Sequence, residues 1–128
     1  MQKTRRFSLA KQLKSFEFAL NGLRILIKEE HNSRIHLFAT VGVLIAAFIF
    51  KLSTSEWIAV IFAIGFVFTI EIINSAIENI ADFVSPEKHR LIGKVKDLAS
   101  AGVLVSAVTA FIVGLIIFIP KITKLLSH

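Results

Sequence analysis

Three apolar stretches, separated by short polar segments, dominate the chain. The first covers residues 35–52, the second is uncharged from Trp57 to Ile70, and the third covers residues 98–119 without a charge. A helix needs about 20 residues to cross a bilayer. The second stretch reaches that length only if its helix continues past Ile70. Glu71 is therefore predicted to lie inside the membrane or near its inner interface.

These stretches predict an all-α membrane protein with three transmembrane helices, at about residues 34–52, 55–84 and 92–120. Pro120 is predicted to end the third helix, because proline is a strong helix breaker. At 128 residues, the chain is expected to form a single membrane-embedded domain over residues 1–128.

Small residues recur at four-residue spacing along the third stretch, at Gly102, Ser106, Ala110 and Gly114. Such a ridge lets two helices approach each other closely in lipid. The partner is either another span of the same protomer or a helix of a neighbouring subunit, and the sequence favours neither.

The segment before the first span, residues 1–30, has the pattern of an amphipathic helix. Phe16, Leu20, Leu23 and Ile27 recur at helical spacing, and charged or polar residues occupy the other faces. Two arrangements fit this pattern equally well. The helix either lies on the inner membrane surface or packs on the protein's own spans.

Composition and charge narrow the class of protein and its orientation. Apolar residues make up 55% of the chain, and the absence of cysteine excludes disulfides and thiolate metal sites. The formal net charge is +6, but most basic residues flank the apolar stretches, which argues against a nucleic-acid partner. Twelve of the 15 lysines and arginines precede the first span or lie between the second and third. The positive-inside rule therefore predicts a cytoplasmic N-terminus and an external C-terminus.

Four polar residues form a narrow stripe where the second span ends. Glu71, Asn74, Glu78 and Asp82 fall within roughly 80° of arc on one helix. A carboxylate at the bilayer centre costs about 2.5–3.5 kcal/mol on insertion scales, so it normally faces protein, water or a cation. Acids beside an amide suit proton movement or a divalent cation. Alternatively, only Glu71 is immersed and the others form a solvated helix end.

Two further polar clusters are predicted to converge on the same interface. Residues 29–34 precede the first span, and residues 94–97, with Lys94, Lys96 and Asp97, precede the third. Lysines there could neutralise a phosphate group or simply anchor the span. The sequence has no P-loop, no dinucleotide-binding fingerprint and no protein-kinase motif. The residues alone therefore indicate an acidic, metal-competent site at a membrane interface.

The motifs E-x-x-N-S-x-x-E-x-x-x-D, at residues 71–82, and K-D-x-x-S-A, at residues 96–101, resemble those of a known family. It is the bacterial integral-membrane lipid kinase family of diacylglycerol kinases and undecaprenol kinases. The resemblance covers roughly residues 16–115, including "NGLRILIKEEHNSRIH" before the first span. It implies a homotrimer of three-span protomers in the bacterial inner membrane, with an N-terminal surface helix. It also implies that ATP, with Mg²⁺, phosphorylates a lipid hydroxyl, and "NSRIH" favours undecaprenol over diacylglycerol.

The resemblance also implies roles for individual residues. Glu71 matches the catalytic base, supported by Asn74 and Asp82. Glu30 and Glu78 match the acids that hold Mg²⁺ and the ATP phosphates. The other nucleotide-binding positions are Glu87, Lys88, His89, Lys96, Asp97 and, on the surface helix, Lys11 and Phe18, where Lys11 replaces the family's arginine. The lipid-substrate positions are Asn32, Arg34, Glu71 and Ser100.

Two other classes of function compete with a lipid kinase. A non-catalytic membrane interaction protein would use its acids to bind cations or partner helices, but it would not need Glu30, Lys96 and Asp97 to match the acidic stripe. A proton or cation conduit would need acids distributed across the membrane. The apolar stretches over residues 35–52 and 98–119 contain none.

Overall fold

Four α-helices follow one another along residues 8–127, the part of the chain that the computed structural model describes. They are α1 (Leu9–Glu29), α2 (His31–Ile49), α3 (Thr54–Val84) and α4 (Arg90–Leu126). The last three are long and apolar enough to cross a membrane, with 19, 31 and 37 residues. The predicted all-α membrane class with three spans is confirmed.

The break between α1 and α2 is a single residue, Glu30. Its backbone is extended (φ −101°, ψ 110°), while its N–H still bonds to the carbonyl of Leu26 at 2.9 Å. Leu26 is buried, which fixes the end of α1 against the spans. The break therefore holds Glu30 where α1, α2 and α3 meet.

The apolar face predicted for α1 remains largely uncovered. Phe16, Leu20 and Leu23 are exposed, and Leu26 is the helix's one buried residue. Along most of its length, α1 thus does not pack on the protein's own spans. This arrangement favours a position on the membrane surface for the helix predicted over residues 1–30. Residues 1–7 lie outside the part of the chain that the structure describes.

The turn between α2 and α3 is closed by two capping motifs. Lys51 has a left-handed backbone (φ 52°), and the N–H of Leu52 bonds to the carbonyl of Ala47 at 3.2 Å. This is a Schellman arrangement with lysine where glycine is usual. Ser53 and Glu56 then form a capping box at the start of α3, with bonds of 3.2 and 2.9 Å. The two helices are therefore joined by a short, well-bonded turn.

Aromatic contacts pack the helices around that turn. Phe48 and Trp57 meet edge to face with ring centroids 5.0 Å apart, and Phe50 meets Phe118 of α4 at 6.1 Å. A small buried core lies beside them, formed by Ala47, Leu52, Val60 and Ile117. All three spans thus pack against one another at this end of the protein.

The prediction that Pro120 ends the third span is wrong, because α4 continues through Pro120 to Leu126. Proline has no N–H to donate to the carbonyl of Ile116, and membrane helices commonly tolerate such a loss. Here Lys121 forms an ion pair with Glu56 of α3 at 3.1 Å, and Thr123 Oγ1 donates to the carbonyl of Ile119 at 2.8 Å. These contacts hold the turn that follows the proline.

The first part of the ridge of small residues on α4 lies close to α3 within the protomer. A Cβ atom at Gly102 would lie 3.7 Å from Cγ2 of Ile70. Ser106, one turn later, is completely buried, and its Oγ donates to the carbonyl of Val103 at 2.8 Å. Within the protomer, Gly102 of this ridge therefore meets α3, whereas Ala110 and Gly114 line an apolar cavity of the bundle.

We expect Ser106→Leu to destabilise the protein by about 1–3 kcal/mol, because the larger side chain must fit where no space is left between α3 and α4. Ser106→Ala, the matched control, removes one local hydrogen bond and should cost about 1 kcal/mol or less. The measurement is thermal unfolding in detergent. Equal stability of the leucine and alanine variants would contradict this close packing.

Candidate active site

Glu71 on α3 is the buried carboxylate of the described residues, with only 4% of its surface exposed. Ser33 Oγ donates to its Oε2 at 2.7 Å, and His36 Nδ1 contacts its Oε1. Ser33 and His36 are three residues apart and therefore share one face of α2. Each carboxylate oxygen thus has one partner from α2, which offsets the cost of burying the group.

One turn further along α3, Ser75 connects to the α1–α2 break. Ser75 Oγ donates to Oε1 of Glu30 at 3.0 Å. The backbone carbonyl of Ser75 accepts a hydrogen bond from Nδ2 of Asn79 at 2.8 Å. Asn74 Oδ1 is buried without a hydrogen-bond partner among the described residues. Glu78 follows one turn later and is half-buried. Side-chain oxygen atoms of Glu30, Asn74 and Glu78 therefore lie along this part of α3.

The lengths of α2 and α3 indicate an expected membrane depth for these residues. The 19 residues of α2 span about 28 Å, close to the hydrocarbon thickness of a bilayer. Ser33, near the start of α2, is level with Glu71, and the segment from Thr54 to Glu71 spans about 26 Å. With Thr54 at one membrane interface, Glu71 is therefore expected where α3 leaves the hydrocarbon core. The later residues of α3 and the first residues of α4 project beyond it.

A second polar cluster lies on these projecting ends. Lys96 Nζ forms an ion pair with Oδ1 of Asp82 at 2.5 Å, and both side chains are partly exposed. They line a cavity of about 440 Å³ together with the α3–α4 loop, including Glu87 and Lys88. Basic and acidic groups therefore surround one opening at this end of the molecule.

His89 lies in the same cavity and begins α4. Its Nδ1 accepts a hydrogen bond from the backbone N–H of Leu91 at 3.1 Å, so the ring caps the helix. In the loop, Ser85 Oγ donates to the carbonyl of Glu87 at 2.9 Å. The sequence predicted His89 as a nucleotide-binding residue, and the structure adds this capping contact.

A separate apolar cavity of about 590 Å³ extends along the membrane-spanning part of the bundle. α2, α3 and α4 line it with mainly aliphatic and aromatic side chains, among them Val43, Val67 and Phe111. Its polar lining residues are His36 and Thr40. Since His36 contacts Glu71, this cavity ends beside the buried carboxylate.

The remaining predicted site residues lie outside these contacts. They are exposed, and they comprise Asn32 and Arg34 on α2, Asp97 and Ser100 on α4, and Lys11 and Phe18 on α1. Conversely, Ser33, His36 and Ser75 contact the predicted acids but were not predicted as site residues. The three-residue spacing of Ser33 and His36 was the available signal, although it does not say which helix they face.

Comparison with known proteins identifies clear relatives. The family model of prokaryotic diacylglycerol kinases matches residues 17–118. An undecaprenol kinase from Bacillus subtilis is 38% identical over 94% of this chain and 98% of its own length. A diacylglycerol kinase from Synechocystis is 30% identical over 89% of this chain and 66% of its own length. A diacylglycerol kinase from Haemophilus influenzae is 30% identical over 73% of this chain and 80% of its own length.

Proposed function

The chain belongs to the prokaryotic diacylglycerol kinase family and is a lipid kinase, and from this premise we propose that it transfers the γ-phosphate of ATP to the hydroxyl of undecaprenol. Two features favour undecaprenol over diacylglycerol. The undecaprenol kinase from Bacillus subtilis is 38% identical to this chain, and the match covers nearly the full length of both proteins. The two diacylglycerol kinases are each 30% identical to this chain. The apolar cavity is also long, reaching from His36 to Phe118, which suits an extended hydrocarbon chain.

The observation that carries this proposal is the buried carboxylate at the end of the apolar cavity. An acceptor with its hydrocarbon chain in the cavity would bring its hydroxyl to the region of Glu71. We assign Glu71 as the catalytic carboxylate on which removal of the hydroxyl proton depends. Asn74 and Asp82 support it along the same face of α3, and the exposed Asn32, Arg34 and Ser100 are assigned to the acceptor lipid at the membrane interface.

The cavity beside the α3–α4 loop is the proposed nucleotide site. Lys96 would exchange its ion pair with Asp82 for the nucleotide phosphates, because both partners of that pair are partly exposed. Along α3, Glu71 and Asp82 are about 16 Å apart, so an extended nucleotide could bridge the two clusters. The other proposed nucleotide contacts are Glu30, Glu78, Glu87, Lys88, His89, Asp97, Lys11 and Phe18.

Mg²⁺ fits the oxygen ligands beside Glu71. Mg²⁺ is usually bound by one or two carboxylates together with substrate phosphates and water. Within residues 8–127 no group of three or more acidic, histidine or cysteine side chains could hold a metal ion, but Glu30 and Glu78 supply two carboxylates. The unpartnered Asn74 Oδ1 adds a third oxygen. The bound ion would neutralise charge on the transferring phosphoryl group.

Orientation and assembly complete the proposal. The N-terminus is assigned to the cytoplasm and the C-terminus to the outside, which places both polar clusters where ATP is available. The homotrimer follows from the family resemblance.

The proposal is tested with the purified protein, ATP and Mg²⁺, and vesicles containing equal amounts of undecaprenol and diacylglycerol. We expect undecaprenol to be phosphorylated preferentially, by roughly tenfold or more in kcat/KM, a typical discrimination for differences in an apolar pocket. Equal or better use of diacylglycerol would contradict the assigned acceptor. Absence of transfer to both lipids would contradict the proposal as a whole.

A further inference from the structure

His36 has the position of a residue that acts between a bound molecule and Glu71. Its Nδ1 contacts Oε1 of Glu71, and His36 is also one of the residues that line the apolar cavity. Glu71 is not among the residues that line this cavity. His36 therefore borders both the cavity and the buried carboxylate.

The exposed fractions of the two side chains support the same order. The side chain of His36 is 27% exposed, against 4% for Glu71. Both oxygens of Glu71 also already have a partner, Ser33 on one and His36 on the other. A hydroxyl arriving through the cavity would thus meet the imidazole before it could reach the carboxylate.

The chemistry of the contact determines which ring nitrogen is available. When Glu71 is ionised it only accepts hydrogen bonds, so a neutral His36 ring that bonds to it carries its proton on Nδ1. Nε2 is then the unprotonated nitrogen and can accept a proton. Histidine held in this way by a carboxylate is a common arrangement for general-base catalysis.

We propose that His36 is the residue that takes the proton from the acceptor hydroxyl, and that Glu71 orients the ring and balances its charge. This inference rests on the proposed lipid kinase function and refines the role of Glu71 within it. As the hydroxyl oxygen bonds to the γ-phosphorus, its proton moves to Nε2 of His36. The bond from the γ-phosphorus to the β–γ bridging oxygen breaks, and its electron pair leaves with ADP. The imidazolium is paired with Glu71 until it releases its proton to water.

His36→Asn separates this role from simple positioning of Glu71. The asparagine amide can donate to Glu71 from about the position of Nδ1, but it has no basic nitrogen. We expect His36→Asn and His36→Ala both to lower kcat by roughly 10²–10⁴-fold, the usual contribution of a general base. KM for the lipid should stay close to that of the unaltered protein. His31→Asn is the matched control, since His31 is exposed at the start of α2, and its turnover should be unchanged.

Nucleotide binding is measured on the same samples as a check on folding. A loss confined to turnover supports the proposal. If His36→Asn keeps near-normal turnover, the ring only positions Glu71 and the proposal is overturned. It is likewise overturned if both variants lose nucleotide binding together with turnover, which would make His36 a structural residue. Failure of the unaltered protein to phosphorylate any lipid would instead overturn the proposed function beneath it.

Discussion

Replacing Glu71 by glutamine should abolish most lipid phosphorylation, lowering kcat by roughly 10²–10⁴-fold. Glutamine has almost the same size and can still accept a bond from Ser33, so the local packing should persist. It carries no charge, however, and can neither accept the hydroxyl proton nor balance an imidazolium on His36. Because Glu71 is about 16 Å along α3 from Asp82, the proposed nucleotide cavity should be unaffected. Turnover with undecaprenol and nucleotide affinity are the two measurements.

Glu56→Gln provides the control for this change on the same helix. Glu56 lies at the opposite end of α3, where it caps the helix and pairs with Lys121. Its substitution should leave turnover unchanged, with at most a small loss of stability. Near-normal turnover in Glu71→Gln would show that this buried carboxylate does not take part in proton removal. A parallel loss of nucleotide affinity would show that its role is structural.

The second large effect is expected at the proposed Mg²⁺ ligands. Glu30→Gln and Glu78→Gln should each raise the Mg²⁺ concentration needed for half-maximal activity by roughly 10–100-fold, the usual range when a group supporting a metal site is lost. A carboxylate binds Mg²⁺ much better than an amide does, because it carries a negative charge. The measurement is a Mg²⁺ titration of activity at saturating ATP and lipid.

Glu29→Gln is the matched control for the metal prediction. Glu29 is exposed at the end of α1, directly before Glu30, so its removal changes the same local charge without removing a proposed ligand. Its Mg²⁺ dependence should equal that of the unaltered protein. If Glu29→Gln and Glu30→Gln shift the titration equally, the effect is one of general charge and the ligand assignment is wrong.

Much of this architecture follows from the sequence because membrane insertion imposes simple requirements. Length and uncharged composition specify three spans, and helical periodicity places Glu71 and Glu78 on one face of α3. These features depend on one helix at a time. They require no knowledge of which helix packs against which.

Contacts between helices are what the sequence could not provide. Ser33 and His36 lie on one face of α2, but periodicity does not reveal that this face meets Glu71. The helix through Pro120 was likewise unpredictable, since the pairing of Lys121 with Glu56 joins two residues far apart in the chain. The helix-breaking tendency of proline is a local property of the backbone, whereas this end of α4 also contacts another helix.

The way α2 is attached has a consequence for how the protein would meet its acceptor. At the end of α2, Phe50 packs against Phe118 of α4. Near the start of α2, Ser33 and His36 contact Glu71 of α3. Between these points α2 and α4 do not approach each other closely in the part of the chain that the structure describes. A molecule could thus enter through the side of the bundle, directly from the bilayer. Under the proposed function, the rate would follow the mole fraction of acceptor in the membrane, and diluting vesicles in buffer would leave it unchanged.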